Sequence, residues 1–164
     1  MTTLQTPHLC LPLTVLPEWI DLYGHMNASA YVRVFDHHGY QLLGTLGVGE
    51  AYTQSRQCGI YTVELRVRYY RELKEGTPIE LRLHLLGADE KRVHCLMELY
   101  RTDDGTLAAT MEQLSVHVDL TTRRARPFPN DIAASLTQTV HTHAGYVQGT
   151  GYEAKLSVGG KAGR

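Results

Sequence analysis

The chain reads as an α+β domain in which one long helix serves an antiparallel sheet. Three observations predict this: one extended run of helical apolar spacing at residues 28–46, a series of strand-like runs after residue 60, and tight turns between those runs. Short turns force neighbouring strands to run antiparallel, and a sheet with an apolar face needs a helix to cover it. One domain is the expected number for 164 residues, of which 43% are hydrophobic and 20% charged.

Residues 8–16, His-Leu-Cys-Leu-Pro-Leu-Thr-Val-Leu, predict the first strand. Pro12 cannot donate to a ladder, which puts that strand at an edge. Pro17 and a loop from Asp21 to Asn27 follow. From Ala28 to Leu46 the residues Tyr31, Phe35, Leu42, Leu43 and Leu46 recur at three- and four-residue spacing, the signature of one long helix. Gly39 lies inside it at a cost of about 1 kcal/mol relative to alanine, which predicts close approach of another backbone. Gly44, Gly47 and Gly49 end the helix, and a polar loop is expected next. Between Thr62 and Arg71, Val63, Leu65, Val67 and Tyr69 point one way, and Glu64, Arg66 and Arg68 the other. Further strands are predicted at Ile79–Leu86, Arg92–Arg101 and Leu107–Leu120, with turns at Lys74–Pro78, Gly87–Glu90 and Asp103–Gly105. Pro127-Phe128-Pro129 closes the last strand, Asp131–Val140 predicts a short helix, and the glycine-rich stretch from Gly145 to Arg164 predicts a loose tail. The expected division is a domain of residues 1–130 and a partly flexible C-terminal extension of residues 131–164.

A formal net charge of −1 gives no broad electrostatic drive towards nucleic acid or an anionic membrane, so neither is an expected partner. No apolar run approaches the length of a membrane span. The first Arg is Arg33 and the first Lys is Lys74, so the start of the chain lacks the basic residues of a secretory signal. Cys10, Cys58 and Cys95 are an odd, widely spaced set, expected to be reduced and buried. A cytoplasmic protein is predicted.

The stretch Asp21-Leu22-Tyr23-Gly24-His25-Met26-Asn27, followed by Ala28-Ser29-Ala30-Tyr31, carries the chemistry. It sets a carboxylate, a glycine turn and two polar side chains ahead of a helix start, where unpaired N–H groups and the positive end of the dipole lie. A carboxylate held there can attack a carbonyl or activate water to do so, while backbone amides hold the oxyanion. Each residue also has a purely structural reading: Asp21 as a turn cap, Asn27 as a helix N-cap, His25 as a ring bonded to backbone. His141-Thr142-His143 is a close histidine pair in the tail and is poor evidence for a metal site.

The pattern Asp-x-x-Gly-His-Met-Asn-x-x-x-Tyr over residues 21–31 resembles the active-site segment of hotdog-fold acyl-CoA thioesterases of the 4-hydroxybenzoyl-CoA type. The similarity runs from about Leu9 to Pro129. It takes in Trp19, Glu64, Tyr69-x-Arg71-Glu72, Lys91-Arg92-x-His94, His117-Val118-Asp119 and Arg124-x-Arg126-Pro127-Phe128-Pro129. These residues resemble most the thioesterases of carnitine breakdown, which act on betainyl-CoA. The helix departs from those relatives at Arg33, His37, His38 and Gly39, so the shape of the acyl pocket does not carry over.

The resemblance implies a sheet wrapped around its helix and a homodimer or homotetramer with sites completed across a two-fold axis. The activity implied is hydrolysis of a small acyl-CoA thioester with neither metal nor cofactor, coenzyme A entering as part of the substrate. Asp21 would be nucleophile or general base, with His25 and Asn27 as further catalytic residues. Gly24 would shape the turn, and the amides of Ala28 and Ser29 would hold the oxyanion. Trp19 and Tyr31, with Tyr23 and Tyr61, would offer aromatic faces to a cationic acyl group, and Glu64 a carboxylate. Lys91, Arg92, Arg123 and Arg124 are the basic residues considered for the CoA phosphates. Two other readings fit less well. A hotdog hydratase needs an Asp and a His five residues apart around Asn-Pro, and a non-catalytic acyl-CoA binding module has no use for an aimed carboxylate.

Overall fold

A computed structural model describes residues 9–159. The elements are β1 (Leu9–Thr14), a 3-10 turn at Pro17–Trp19, α1 (Ala28–Gly44), α2 (Glu50–Arg56), β2 (Cys58–Tyr69), β3 (Pro78–Ala88), β4 (Arg92–Arg101), β5 (Leu107–Asp119), β6 (Arg124–Ala125) and α3 (Asn130–Thr150). The sheet order is β1-β3-β4-β5-β2, with the short β6 on β5 and every pairing antiparallel. β1 is an edge, as Pro12 requires. His8, the expected start of that strand, lies outside the described residues.

One face of the sheet packs on α1. Leu81, Leu83, Leu85, Cys95, Met97, Leu99 and Met111 meet Tyr31, Val34, Phe35, Leu42 and Leu43 in a single apolar core. Gly39 does allow a close approach, but to a side chain: a Cβ there would stand 2.3 Å from Met97 Sδ on β4. Two backbones meet instead at Gly44 and Gly49, where a Cβ on Gly49 would lie 2.5 Å from the Gly44 Cα. That crossing starts α2, a helix standing where a polar loop was expected. Of its seven residues only Tyr52 is buried, so the stretch shows no apolar period. The Tyr52 hydroxyl meets His117 Nε2 at 2.7 Å. Cys58 and Cys95 are buried, whereas Cys10 is exposed, contrary to expectation.

β2 begins four residues before its predicted start, at Cys58, because a bulge between Thr62 and Glu64 breaks the alternation. It is the second edge of the sheet, and its apolar Val63 (56% exposed) and Leu65 (41%) stand in the open.

The opposite face of β3–β5 is buried too, but by polar groups. His84 Nε2 meets Glu98 Oε2 at 2.8 Å, and His94 Nε2 meets Glu112 Oε1 at 2.8 Å, all four side chains being buried. α3 covers them, and it runs to Thr150 rather than ending at Val140, with Gly145 inside it. Ile132, Leu136 and Val140 pack its first half at helical spacing, but beyond Val140 its attachments are polar and leave no hydrophobic period in the sequence: His143 Nδ1 accepts the Leu85 N–H at 2.9 Å, and the Tyr146 ring stacks on His84 at 4.5 Å. The chain beyond α3 is also fastened. Glu112 accepts the Tyr152 hydroxyl at 2.7 Å and the amides of Lys155 and Leu156 at 3.0 and 2.6 Å. The expectation of a loose tail is thus corrected for residues 151–159, and Gly160–Arg164 lie outside the described residues.

Burial pushes the Glu112 carboxyl up, but the Lys155 and Leu156 amides, the Tyr152 hydroxyl and His94 outweigh it and hold the group below its ordinary value of 4.5. A carboxyl lowered on folding stabilises above its unfolded pKa, and that stability is lost as pH falls through the folded value. Glu112→Gln keeps the shape but presents a donor to three donors, which should cost about 1–3 kcal/mol. Trypsin should then cleave after Lys155 much faster in the variant at pH 7, read by mass spectrometry, and equal cleavage rates would contradict the anchor.

Candidate active site

The Asp21–Asn27 loop is a tight excursion pinned at both ends. Ile20 and Met26 form an antiparallel bridge, the Asp21 N–H donates to the His25 carbonyl at 3.1 Å, and the Gly24 N–H returns to the Asp21 carbonyl at 3.0 Å. Gly24 turns the chain at φ +79°, where any side chain would be strained although nothing would touch its Cβ. The Met26 amide bonds the Leu73 carbonyl at 2.7 Å and the Asn27 amide the Trp19 carbonyl at 2.8 Å, so the exit into α1 is fixed by two neighbouring segments.

Within the loop the polar groups form a chain. Asp21 is half-buried; its Oδ1 accepts the Tyr23 N–H at 2.8 Å and its Oδ2 accepts Asn27 Nδ2 at 3.2 Å. Asn27 Oδ1 in turn accepts the Ser29 amide at 2.9 Å and the Ser29 hydroxyl at 2.6 Å. Asn27 is therefore both N-cap and link to the carboxylate, with its two amide ends committed to different tasks. His25 Nδ1 lies 3.3 Å from the Met26 carbonyl, and its ring lies parallel to that of the exposed Tyr23, 6.2 Å away.

Beside the loop a cavity of about 300 Å³ opens between the first turn of α1 and the end of β2, walled by His25, Ala28, Tyr31, Tyr69, Arg71 and Glu72. Two tyrosines frame it. Tyr69 donates to the Ala28 carbonyl at 3.0 Å, Tyr31 to the Arg71 carbonyl at 3.3 Å, and their rings meet edge-to-face at 5.2 Å. Burial, above all, pushes the Tyr31 phenol up to about 12, so it remains a donor at neutral pH. The Ala28 N–H, first in α1, has no acceptor among the described residues.

The structure thus joins Asp21, Asn27 and Ser29 directly and sets His25, Ala28 and Tyr31 around the cavity, with Gly24 shaping the turn. Trp19 is in the core beneath the loop. Glu64 is elsewhere: cross-strand from Leu114, it shares with Arg66 the face of β2 turned away from α1. Tyr61 and the four basic residues considered for CoA are at the far end of the sheet. There Arg92 is held by Asp89 and Arg123 donates to the Tyr61 hydroxyl. His143 is buried against β3, apart from the exposed His141. Sequence reasoning missed Tyr69, Arg71 and Glu72 as cavity residues, although they stand together at the end of β2 and just beyond it.

A model of the thioesterase-like superfamily matches residues 15–136. The chain is 32% identical over 143 residues to a betainyl-CoA thioesterase of Pseudomonas aeruginosa, which covers 87% of this chain and 86% of that one. This chain belongs to the thioesterase-like superfamily. It is a thioester hydrolase of the acyl-CoA thioesterase family, built on the hotdog fold of a curled antiparallel sheet around a helix. It is also 34% identical over 126 residues to an L-carnitine dehydrogenase/betainyl-CoA thioesterase of Rhizobium meliloti, matching 77% of this chain but spanning only 25% of that longer protein. A Staphylococcus aureus protein solved in complex with CoA superposes with a TM-score of 0.79 at 23% identity, covering 96% of this chain and 95% of that one. A 1,4-dihydroxy-2-naphthoyl-CoA thioesterase from Synechocystis superposes at 0.70 with 14% identity, over 79% of this chain and 96% of that one. Among the described residues no helix is long and apolar enough to cross a membrane.

The double task of Asn27 supplies a test of the loop. Asn27→Asp keeps the cap to Ser29 but replaces the donor to Asp21 with a second anion. Like charges this close raise a carboxyl pKa. Stability should change by less than about 1 kcal/mol, while the acid limb of the kcat/KM profile should move to higher pH. An unmoved acid limb in a folded variant would show that Asn27 and Asp21 are not coupled.

Proposed function

We propose that this thioesterase hydrolyses a small acyl-CoA thioester, with Asp21 as its catalytic carboxylate and betainyl-CoA as its leading substrate. One observation carries the reading: a carboxylate oriented by Asn27, in the loop whose His25 walls a cavity where the first amide of α1 has no acceptor among the described residues. With the thioester carbonyl at Ala28, its developing oxyanion would take that N–H and the positive end of the helix. Asp21 would then act on the carbonyl carbon, either as nucleophile or by taking a proton from attacking water, and the CoA thiolate would leave. His25, at the cavity wall, would donate to the thioester oxygen or steady Asp21. Asp21→Asn preserves size and hydrogen bonding while removing the anion. Turnover should fall by about two orders of magnitude or more; near-normal turnover in a folded variant would sink the assignment.

For the acyl group, the relatives named for betainyl-CoA agree with the walls of the cavity. The Tyr31 and Tyr69 rings, with the Glu72 carboxylate at the rim, suit a trimethylammonium head, whose interaction with an aromatic face is worth about 0.5–2 kcal/mol. Glu72 takes the place expected of Glu64, which faces away within its own protomer. The 3,3-dimethylbutanoyl thioester has the same shape without the charge. Its kcat/KM should be roughly ten-fold lower than that of betainyl-CoA, and Glu72→Gln, but not Glu64→Gln, should narrow the ratio. Equal use of both thioesters would end the cation reading and leave the thioesterase assignment standing.

The open edge of β2, with exposed Val63 and Leu65, fits a chain that works as a homodimer or homotetramer. Light scattering at micromolar concentration should return at least twice the monomer mass, and an active monomer would exclude the assembly. Three free cysteines, one of them exposed, suit a reducing cytoplasm.

A further inference from the structure

The peptide unit between Ala28 and Ser29 is fastened at both of its polar atoms. Its N–H donates to Asn27 Oδ1 at 2.9 Å, and its carbonyl accepts the Tyr69 hydroxyl at 3.0 Å. A peptide unit is planar and rigid, so two such bonds fix its orientation, and with it the Ala28 Cα from which the free N–H leaves. One fastening is local, because Asn27 belongs to the Asp21 loop. The other comes from the last residue of β2, across the cavity.

β2 presents that hydroxyl to α1 because of its bulge. Ile60 and Val67 both pack on the core shared with α1, although at their spacing an unbroken strand would turn them to opposite faces. The extra residue between Thr62 and Glu64 shifts the alternation by one. Val67 and Tyr69 therefore lie on the α1 side, opposite Met111 and Ala109 of the core, and Arg66 and Arg68 on the other. A second bond runs the opposite way: Tyr31 of α1 donates to the Arg71 carbonyl just beyond β2 at 3.3 Å, and the two rings meet edge-to-face at 5.2 Å. Tyr31 is 3% exposed and Tyr69 50%. A hydrogen bond from a half-exposed hydroxyl adds only modestly to stability, because water can replace it. What water cannot replace is the fixed direction.

We infer that Tyr69 is a positioning residue for thioester hydrolysis, its hydroxyl holding the first turn of α1 so that the Ala28 N–H points at the developing oxyanion. This role rests on Ala28 being the oxyanion donor, as proposed, and is independent of the acyl group. The hydroxyl proton is engaged with the Ala28 carbonyl, so Tyr69 transfers no proton and Asp21 keeps its part. Losing an oxyanion donor outright costs about 100- to 1000-fold in kcat. Loosening one through its support costs less, about tenfold.

Tyr69→Phe removes the hydroxyl and keeps the ring against Tyr31 and in the cavity wall. Tm should change by no more than a few degrees. The substrate is betainyl-CoA or 3,3-dimethylbutanoyl-CoA, whichever the wild-type protein turns over faster. In the variant kcat should fall about tenfold while KM stays within roughly twofold, and both limbs of the pH profile should stay in place. In protein labelled with ¹⁵N-alanine, the Ala28 amide signal should move and that of Ala133, on α3, should not. A rise in KM at constant kcat would make Tyr69 a binding residue, and a displaced pH limb an acid–base group; either overturns the positioning role. An unchanged kcat overturns it too, and the Ala28 signal then says why. If that signal is unmoved, Tyr69 does not hold Ala28 and the oxyanion reading survives. If it has moved, the hold is real but the amide is not used, and the oxyanion reading fails as well.

Discussion

Everything at the candidate site depends on where α1 begins. A helix start leaves amides without partners, and at this one the Asn27 side chain satisfies the Ser29 amide and hydroxyl while the Ala28 N–H is left over. The same asparagine turns its other amide end to Asp21. One side chain therefore decides which amide is capped, which is available, and how the carboxylate is aimed. The rest of the local structure serves to hold that start in place. Met26 is tied to Leu73, Asn27 to Trp19, and the Ala28 carbonyl to the Tyr69 hydroxyl, so β2 and the segment after it grip the helix end from the cavity side. The core beneath, with Phe35 and Leu43 against Met97 and Leu83, fixes the helix axis. The geometry proposed to be reactive is a consequence of helix capping.

The other face of the sheet follows a different rule. A second apolar layer would read in the sequence as hydrophobic on both sides of each strand; this chain instead buries two histidine–glutamate pairs and covers them with α3 and the segment after it. Buried polar pairs seldom add net stability over apolar packing, but removing one partner is expensive. Their yield is orientation. Glu112 accepts from His94, Tyr152, Lys155 and Leu156 at once, a set that only one path of the C-terminal segment can satisfy. His143 does the same for α3 by taking the Leu85 N–H of β3.

This contrast explains what was legible in the sequence. Elements held by apolar periodicity could be read: α1 starts at Ala28 as expected, β4 spans Arg92–Arg101, and β5 ends one residue from its predicted limit. Elements held by polar contacts could not. α2 buries only Tyr52, and the length of α3 rests on His143 and Tyr146, residues that carry no periodic signal. The bulge in β2 had the same effect on the site, because one inserted residue decides which side chains of that strand share a face. The Asp21–Asn27 loop was legible because its chemistry is local, lying within seven consecutive residues. The cavity walls at Tyr69, Arg71 and Glu72 arrive from forty residues away and depend on the fold.

α1 also sorts polarity along its length. At its first turn the free group is a donor, the Ala28 amide, reinforced by the positive end of the helix. Two turns later the exposed Asp36 carboxylate is an acceptor with no partner among the described residues. Of the departures of this helix at Arg33, His37 and His38, only His37 lines the pocket that Asp36 also lines, and none lines the cavity beside the Asp21 loop.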